Sequence, residues 1–276
     1  MTIPGSLMAQ PRAAPPAFED VTETTGVPVT GEGARMMYTR YAVAATVAGG
    51  RRAIELACGG GNGLGLIGAS ARSLVGGDIS VSLLGTARSH YGARFPLVRL
   101  SAEALPFRAG AFEVVLFFEA TYYVPDMERA FDEIARVLPV DGTVLFINAN
   151  PERPDFIPSP HSVHYHSSDA FRAALERRGF RVTTSAAFPI DHARPGLASK
   201  IVGTAIGVVR VLLHNLGLVP RTLRGRARLK RLIYRDLTNL PPELPPGFAE
   251  VEPLVPTVPG PVRGLKVIYV TATRTV

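Results

Sequence analysis

One stretch constrains this chain more than any other: Ala53-Ile54-Glu55-Leu56-Ala57-Cys58-Gly59-Gly60-Gly61-Asn62-Gly63. It runs from a short, mostly apolar segment into nearly unbroken glycine and then toward a helix. Glycine allows positive φ and lets a ligand approach the main chain with no Cβ in the way. A helix that follows would offer unpaired N–H groups to whatever the loop holds. The pattern predicts a strand, a loop and a helix that together cradle a cofactor in an α/β sheet.

Two cofactors compete for such a loop. Gly63-Leu64-Gly65-Leu66-Ile67-Gly68 has the G-x-G-x-x-G spacing of a dinucleotide site. That fingerprint should begin where the strand ends, whereas here it begins several residues later, inside the expected helix. The register that does follow the strand, Gly59 to Leu64, lacks the last glycine. Glu55-Leu56-Ala57-Cys58-Gly59-Gly60-Gly61 instead resembles motif I of the class I S-adenosylmethionine (SAM)-dependent methyltransferases of the small-molecule, UbiE-like kind. That motif often reads Glu-x-Gly-Cys-Gly-x-Gly, so Ala57 stands where the family usually has its first glycine.

Further pieces of the pattern arrive in order. Val75 to Ser80 reads as a second strand ending in an acid, Asp78, where a carboxylate can accept from both ribose hydroxyls. Helix N-capping is its ordinary alternative role. Ile79 would lie against adenine. Ser101-Ala102-Glu103-Ala104-Leu105-Pro106-Phe107 is similar to the family's Asp-Ala-x-x-Leu-Pro-Phe, with Ser101 at the residue that usually contacts the adenine amino group. A hydroxyl carries no charge, so Glu103 or the backbone could take over that contact. Glu133 to Pro139, followed by Gly142, resembles another family stretch and marks the fold. The resemblance implies a cofactor site of Arg40, Glu55, Ala57, Cys58, Gly59, Gly61, Asp78, Ile79, Ser101, Ala102, Glu103 and Phe118. Arg40, in a helix before motif I, would meet the cofactor's carboxylate, although an exposed arginine is more often simply solvated.

Phe112 to Phe118 is continuously apolar and predicts a central strand buried on both faces. Ligands in open α/β sheets bind beyond the carboxyl ends of the strands. Glu119, Tyr122 and Tyr123 follow this strand and so mark the acceptor side, with Tyr38 as a further substrate contact. A helix from Asp126 to Leu138 has Met127, Ala130, Phe131, Ile134 and Leu138 on one face. The loop 149–167 holds His161, His164 and His166. Histidine titrates near neutrality, so His166 or His161, with Glu119 as competitor, are the candidates for a general base, and His164 for substrate binding. Solvent exposure or helix capping is the plainer role for these histidines. Their H-x-x-H-x-H spacing raises metal binding, but no cysteine flanks them and the loop adds no acid cluster. No metal is expected.

The expected fold is α/β: a Rossmann-like, seven-stranded methyltransferase sheet with helices on both faces and a helical insert before the last strand. Residues 1–34 read as a flexible arm, 35–190 plus 263–276 as the SAM-binding core, and 191–262 as a helical cap. Within the cap, Ile201 to Leu213 is strongly apolar. A basic segment follows with Arg221, Arg224, Arg226, Arg228, Lys230, Arg231 and Arg235, then a proline-rich return. A membrane span needs about 20 apolar residues. Peripheral membrane contact through 197–237 is one use of such a segment, and a cap over a partly hydrophobic substrate is the preferred one.

With 46% hydrophobic and 19% charged residues the chain is globular. A single cysteine excludes an internal disulfide, and with no basic, apolar leader in residues 1–17 a cytoplasmic location is expected. The net charge of +7 would suit nucleic acid, but no Asn-Pro-Pro-Tyr-type tetrad follows the fourth strand, so a small-molecule acceptor is expected and no nucleic acid. The resemblance implies methyl transfer to an O, N or C nucleophile. The alternative is a methyltransferase fold that binds SAM or its product but acts as a cyclase or binding module.

Overall fold

The computed structural model describes Phe18, residues 21–190 and residues 237–276. The apolar and basic segments of the insert, up to residue 236, lie outside the described residues. Strand β1 (Pro28–Thr30) leads into helix α1 (Gly31–Ala48), whose first turn is capped by Thr30 Oγ1 accepting from the Gly33 amide at 3.1 Å. Residues 21–34, expected as part of a loose arm, therefore hold a strand and a helix start.

The core follows as β2 (Arg52–Leu56), α2 (Leu64–Gly68), β3 (Ser73–Asp78), α3 (Val81–Tyr91), β4 (Leu97–Arg99), β5 (Val114–Phe118), α4 (Met127–Val137), β6 (Thr143–Ala149), α5 (Ser168–Glu176) and β7 (Phe180–Pro189). After the insert come β8 (Leu237–Asn239), β9 (Val255–Pro256) and β10 (Leu265–Arg274). Side-chain oxygens of Ser80, Asp126 and Ser167 cap α3, α4 and α5, each using an acceptor to satisfy an orphan amide of the first turn. Helix α2, which follows the glycine loop, is only five residues long. Gly68 and Ala69 close it, and Arg72 already pairs with Arg51 at the entrance to β3.

One sheet orders its strands β4-β3-β2-β5-β6-β10-β7-β9. The run from β4 to β6 is parallel, and β10 and β7 are antiparallel. Two-residue β9 extends the expected seven strands by one. Strand β5 is buried along its whole length. Val115 and Phe117 face one layer with α4 and α5, and Val114, Leu116 and Phe118 face the other with α1 and α2. Chain order reverses between β2 and β5, and such a switch point opens a crevice at the carboxyl ends of the two strands.

A second, two-stranded sheet pairs β1 with β8. Flanking bonds extend it: the Gly26 amide donates to the Leu240 carbonyl and the Leu240 amide to that of Val27. The described part of the insert, 237–262, is the proline-rich return and holds β8 and β9. Among the described residues no helix is long and apolar enough to cross a membrane.

Candidate active site

The glycine loop leaves β2 through three left-handed residues: Ala57 at φ 56°, Gly59 at 56° and Gly61 at 84°. The alanine at the family's glycine position thus adopts a conformation that suits glycine. The Cys58 amide donates to the Gly77 carbonyl at 3.0 Å, while the Cys58 side chain is buried beside Gly76. Cys58 therefore presents backbone, not thiol, to the crevice. Asp78, at the tip of β3, is buried, and its Oδ2 accepts from the Gly59 amide at 2.8 Å. Its Oδ1 accepts from Ser80 at 2.8 Å.

Beyond Asp78 lies a cleft of about 430 Å³ lined by Ile79, Arg99, Leu100, Ser101, Ala104 and Pro106. Ile79, at the edge of the cleft, is exposed. Ser101 Oγ accepts from the Glu103 amide at 3.2 Å. Glu103 Oε2 accepts from the Ser101 hydroxyl at 3.3 Å, and its Oε1 accepts from the Asp126 amide at 2.8 Å. Its carboxylate ties this loop to the N-terminus of α4, and Ala102 packs against the core.

At the other end of the crevice α1 brings Arg40 to the carboxyl end of β5. Its guanidinium stands 3.7 Å from Glu119, and its buried Nε has no hydrogen-bond partner among the described residues. Burial works against the Arg40 charge, but Glu119, Tyr41, Glu23 and Tyr269 outweigh it and raise its pKa. Glu119 itself adopts φ 46° and accepts from the Tyr122 hydroxyl at 3.0 Å. Burial raises its pKa against the opposing pull of Arg40 and Tyr122. Glu55, in β2, is also buried, and its Oε2 has no hydrogen-bond partner among the described residues. Burial pushes its carboxyl up to about 8, opposed by Tyr41 and Arg40. Phe118 closes the apolar floor edge-on to Tyr41, with centroids 5.9 Å apart.

Aromatic rings frame the space beyond Glu119. Tyr122 stacks on Tyr165 at 4.2 Å, and the Tyr123 hydroxyl bonds to Ser159 Oγ at 2.6 Å. Phe18 packs on Tyr123. The arm covers the crevice further, because a Cβ on Gly59 would meet the Thr22 methyl at 3.1 Å and one on Gly60 would meet that of Thr24 at 3.7 Å. From the opposite side Asn62 Nδ2 donates to the Pro241 carbonyl at 2.6 Å.

Two sequence candidates point away from this space. Tyr38 turns its hydroxyl to the Gly247 amide and packs near Phe248, so the insert's return, not the crevice, holds it. His166 lies among Phe131, Phe171 and His164, with Nδ1 buried and unpartnered. Burial lowers its pKa. The alternation of residues at the start of α5 sends Tyr165 to the crevice and His166 into the helix layer. His161 and His164 are exposed. Among the described residues no group of three His, Cys, Asp or Glu could hold a metal ion. Sequence reasoning missed Thr22, Thr24 and Tyr165, and it missed Tyr269, whose buried hydroxyl has no partner among the described residues.

Residues 54–146, from β2 to β6, match the family described as Methyltransferase domain. The chain is 33% identical over 107 residues to a malonyl-[acyl-carrier protein] O-methyltransferase of Legionella pneumophila, covering 37% of each chain. It is 37% identical over 120 residues to a ubiquinone/menaquinone biosynthesis C-methyltransferase of Xylella fastidiosa, covering 40% of this chain and 47% of that one. The alignments thus span less than half the length of these relatives. The fold is similar to that of a SAM-dependent methyltransferase from Archaeoglobus fulgidus, with a TM-score of 0.55 at 14% identity, covering 88% of this chain and 96% of that one.

Proposed function

We propose, for a chain that carries a class I SAM-dependent methyltransferase domain over residues 54–146, that it methylates a small, partly apolar acceptor held beyond β5. The observation that carries this reading is the Asp78 carboxylate bonded to the Gly59 amide beside the Ile79–Ser101 cleft. It joins a ribose-type acid, a left-handed glycine loop and a slot for a flat ring along one edge.

The residues fit SAM. A Cβ on Gly59 would press on the Thr22 methyl at 3.1 Å, and Glu55 Oε2 and Arg40 Nε are buried polar atoms with no hydrogen-bond partner among the described residues. In this reading Ile79 and Ser101 take adenine, Asp78 takes the ribose, and Arg40 and Glu55 face the amino-acid end. Bound SAM supplies a methyl group on a sulfonium, already electrophilic. The protein's share is then alignment and exclusion of water. Thr22, Thr24 and Phe18 shield the crevice, and Tyr122, Tyr123 and Tyr165 offer flat, apolar walls to the acceptor. Where the nucleophile carries a proton, Glu119 accepts it, since a carboxyl whose pKa is raised by burial is a stronger base than an exposed one. The Legionella relative is named for an oxygen acceptor and the Xylella relative for a carbon acceptor, so the acceptor atom follows from neither.

Calorimetric titration with SAM, its demethylated product and NADH tests the reading, with Asp78→Asn as control. Binding of SAM and product, weakened in the variant, is expected. Binding of NADH alone, or of nothing, would overturn it. Cofactor binding with no methyl transferred to any acceptor class would favour a cyclase or binding role.

A further inference from the structure

Tyr269 stands inside β10, opposite Ile147 of β6. Its side chain faces the α1 layer, in one cluster with Met37, Tyr41, Phe118 and Ile147. The residue is 1% exposed, and its hydroxyl has no hydrogen-bond partner among the described residues. A buried tyrosine hydroxyl ordinarily finds a partner, and each exception wants an explanation.

The neighbours supply one. The carbonyl of Ile147, directly across from Tyr269, accepts from the Glu119 amide at 2.8 Å. Glu119 in turn lies 3.7 Å from Arg40, beyond hydrogen-bond length, and Arg40 Nε is a second buried donor without a partner. The fields of Arg40 and Glu119 both reach the Tyr269 hydroxyl. One cationic donor and one neutral donor therefore stand unused at the same corner of the crevice. Two such donors match the two oxygens of a carboxylate. The corner belongs to the cofactor end: Tyr41, next to Arg40, packs on the glycine loop so closely that a Cβ on Gly63 would fall inside its ring.

We propose that the Tyr269 hydroxyl and the Arg40 guanidinium together hold the carboxylate of the cofactor's amino-acid moiety. This rests on the SAM reading above. It adds a ligand from the last antiparallel strand, outside the matched residues 54–146, and makes the strand part of the site and not only of the sheet.

The test is calorimetry on the full chain with two probes. One is S-adenosylhomocysteine, which has the carboxylate. The other is 5′-methylthioadenosine, which keeps the adenosine and lacks the amino-acid end. Tyr269→Phe should weaken the first about 10- to 150-fold, the range of a hydrogen bond to a charged group, and leave the second within about twofold. Because the hydroxyl has no partner among the described residues, the melting temperature of the unliganded variant should stay level or rise. Equal weakening of both probes, an unchanged affinity for S-adenosylhomocysteine, or a fall in unliganded stability would each overturn the proposal. If the unsubstituted chain bound neither probe, the SAM reading itself would fall, an outcome distinct from all three.

Discussion

Asp78 Oδ2 accepts a hydrogen bond from the Gly59 amide at 2.8 Å, so the acid at the tip of β3 also fixes the loop that leaves β2. In the proposed SAM site, ligand binding and loop geometry would therefore share one side chain. Asp78→Asn keeps an acceptor but removes the charge that strengthens a bond to a backbone amide. The variant should lose about 1–2 kcal/mol of stability along with affinity for SAM. Urea unfolding and calorimetry measure the two effects separately. An intact affinity beside lowered stability would confine Asp78 to the loop.

Ala57 holds φ 56°, a left-handed conformation that costs an L-residue about 1–2 kcal/mol. Glycine would avoid that cost while adding unfolded-chain entropy worth about 0.4–1 kcal/mol in the other direction. Ala57→Gly should therefore stabilise the chain slightly, by about 0.5–1 kcal/mol. A β-branched Ala57→Val should destabilise it clearly. Chemical denaturation of the pair decides the matter, and a loss of stability on Ala57→Gly would show that the Ala57 methyl is needed for packing.

What could be read from sequence was what is local. The apolar run at β5 and the helix expected from Asp126 to Leu138 carry their signals within a strand or a few turns, and the structure forms both there. Contacts set by distant chain escaped. The pairing of β1 with β8 joins residues 28–30 to 237–239, and neither strand has enough pattern of its own to announce the other. Tyr269 in an apolar strand reads as core, because nothing in its neighbours reveals that its hydroxyl is left over. Tyr38 and His166 read as site residues because their chemistry suits a site, but helix α1 and the start of α5 turn them toward Gly247 and Phe131.

Glu55 gives stability a pH dependence of unusual sign. Its folded pKa, about 8, lies above the ordinary carboxylate value near 4.3, so over this window the folded state binds more protons than the unfolded one. Stability then falls as pH rises from about 4.3 to about 8. Tyr41, Arg40 and Asp78 act on the carboxyl and shape the window. Glu55→Gln should be more stable than the parent at pH 8 and flatten the slope between pH 5 and 8. Unfolding curves at those two pH values suffice, and parallel pH profiles would rule the carboxyl out as the source.

Glu119 can be separated from its neighbours by kinetics. If it takes the acceptor's proton, the reaction needs it ionised, and kcat/KM must rise with pH through a pKa that burial holds above the ordinary carboxylate range. Arg40, Tyr122 and Glu23 are the charged and polar groups that act on it. Glu119→Gln keeps the side chain's size and one acceptor oxygen for the Tyr122 hydroxyl. It should lower kcat by about 10²-fold or more, abolish the acid limb of the profile, and leave the affinity for S-adenosylhomocysteine within a few-fold. A matching loss of product affinity would instead tie Glu119 to the Arg40 corner as a structural partner. An unchanged rate would mean that the acceptor arrives without a proton to lose, as a neutral amine does, and would direct the search for the substrate toward nitrogen nucleophiles.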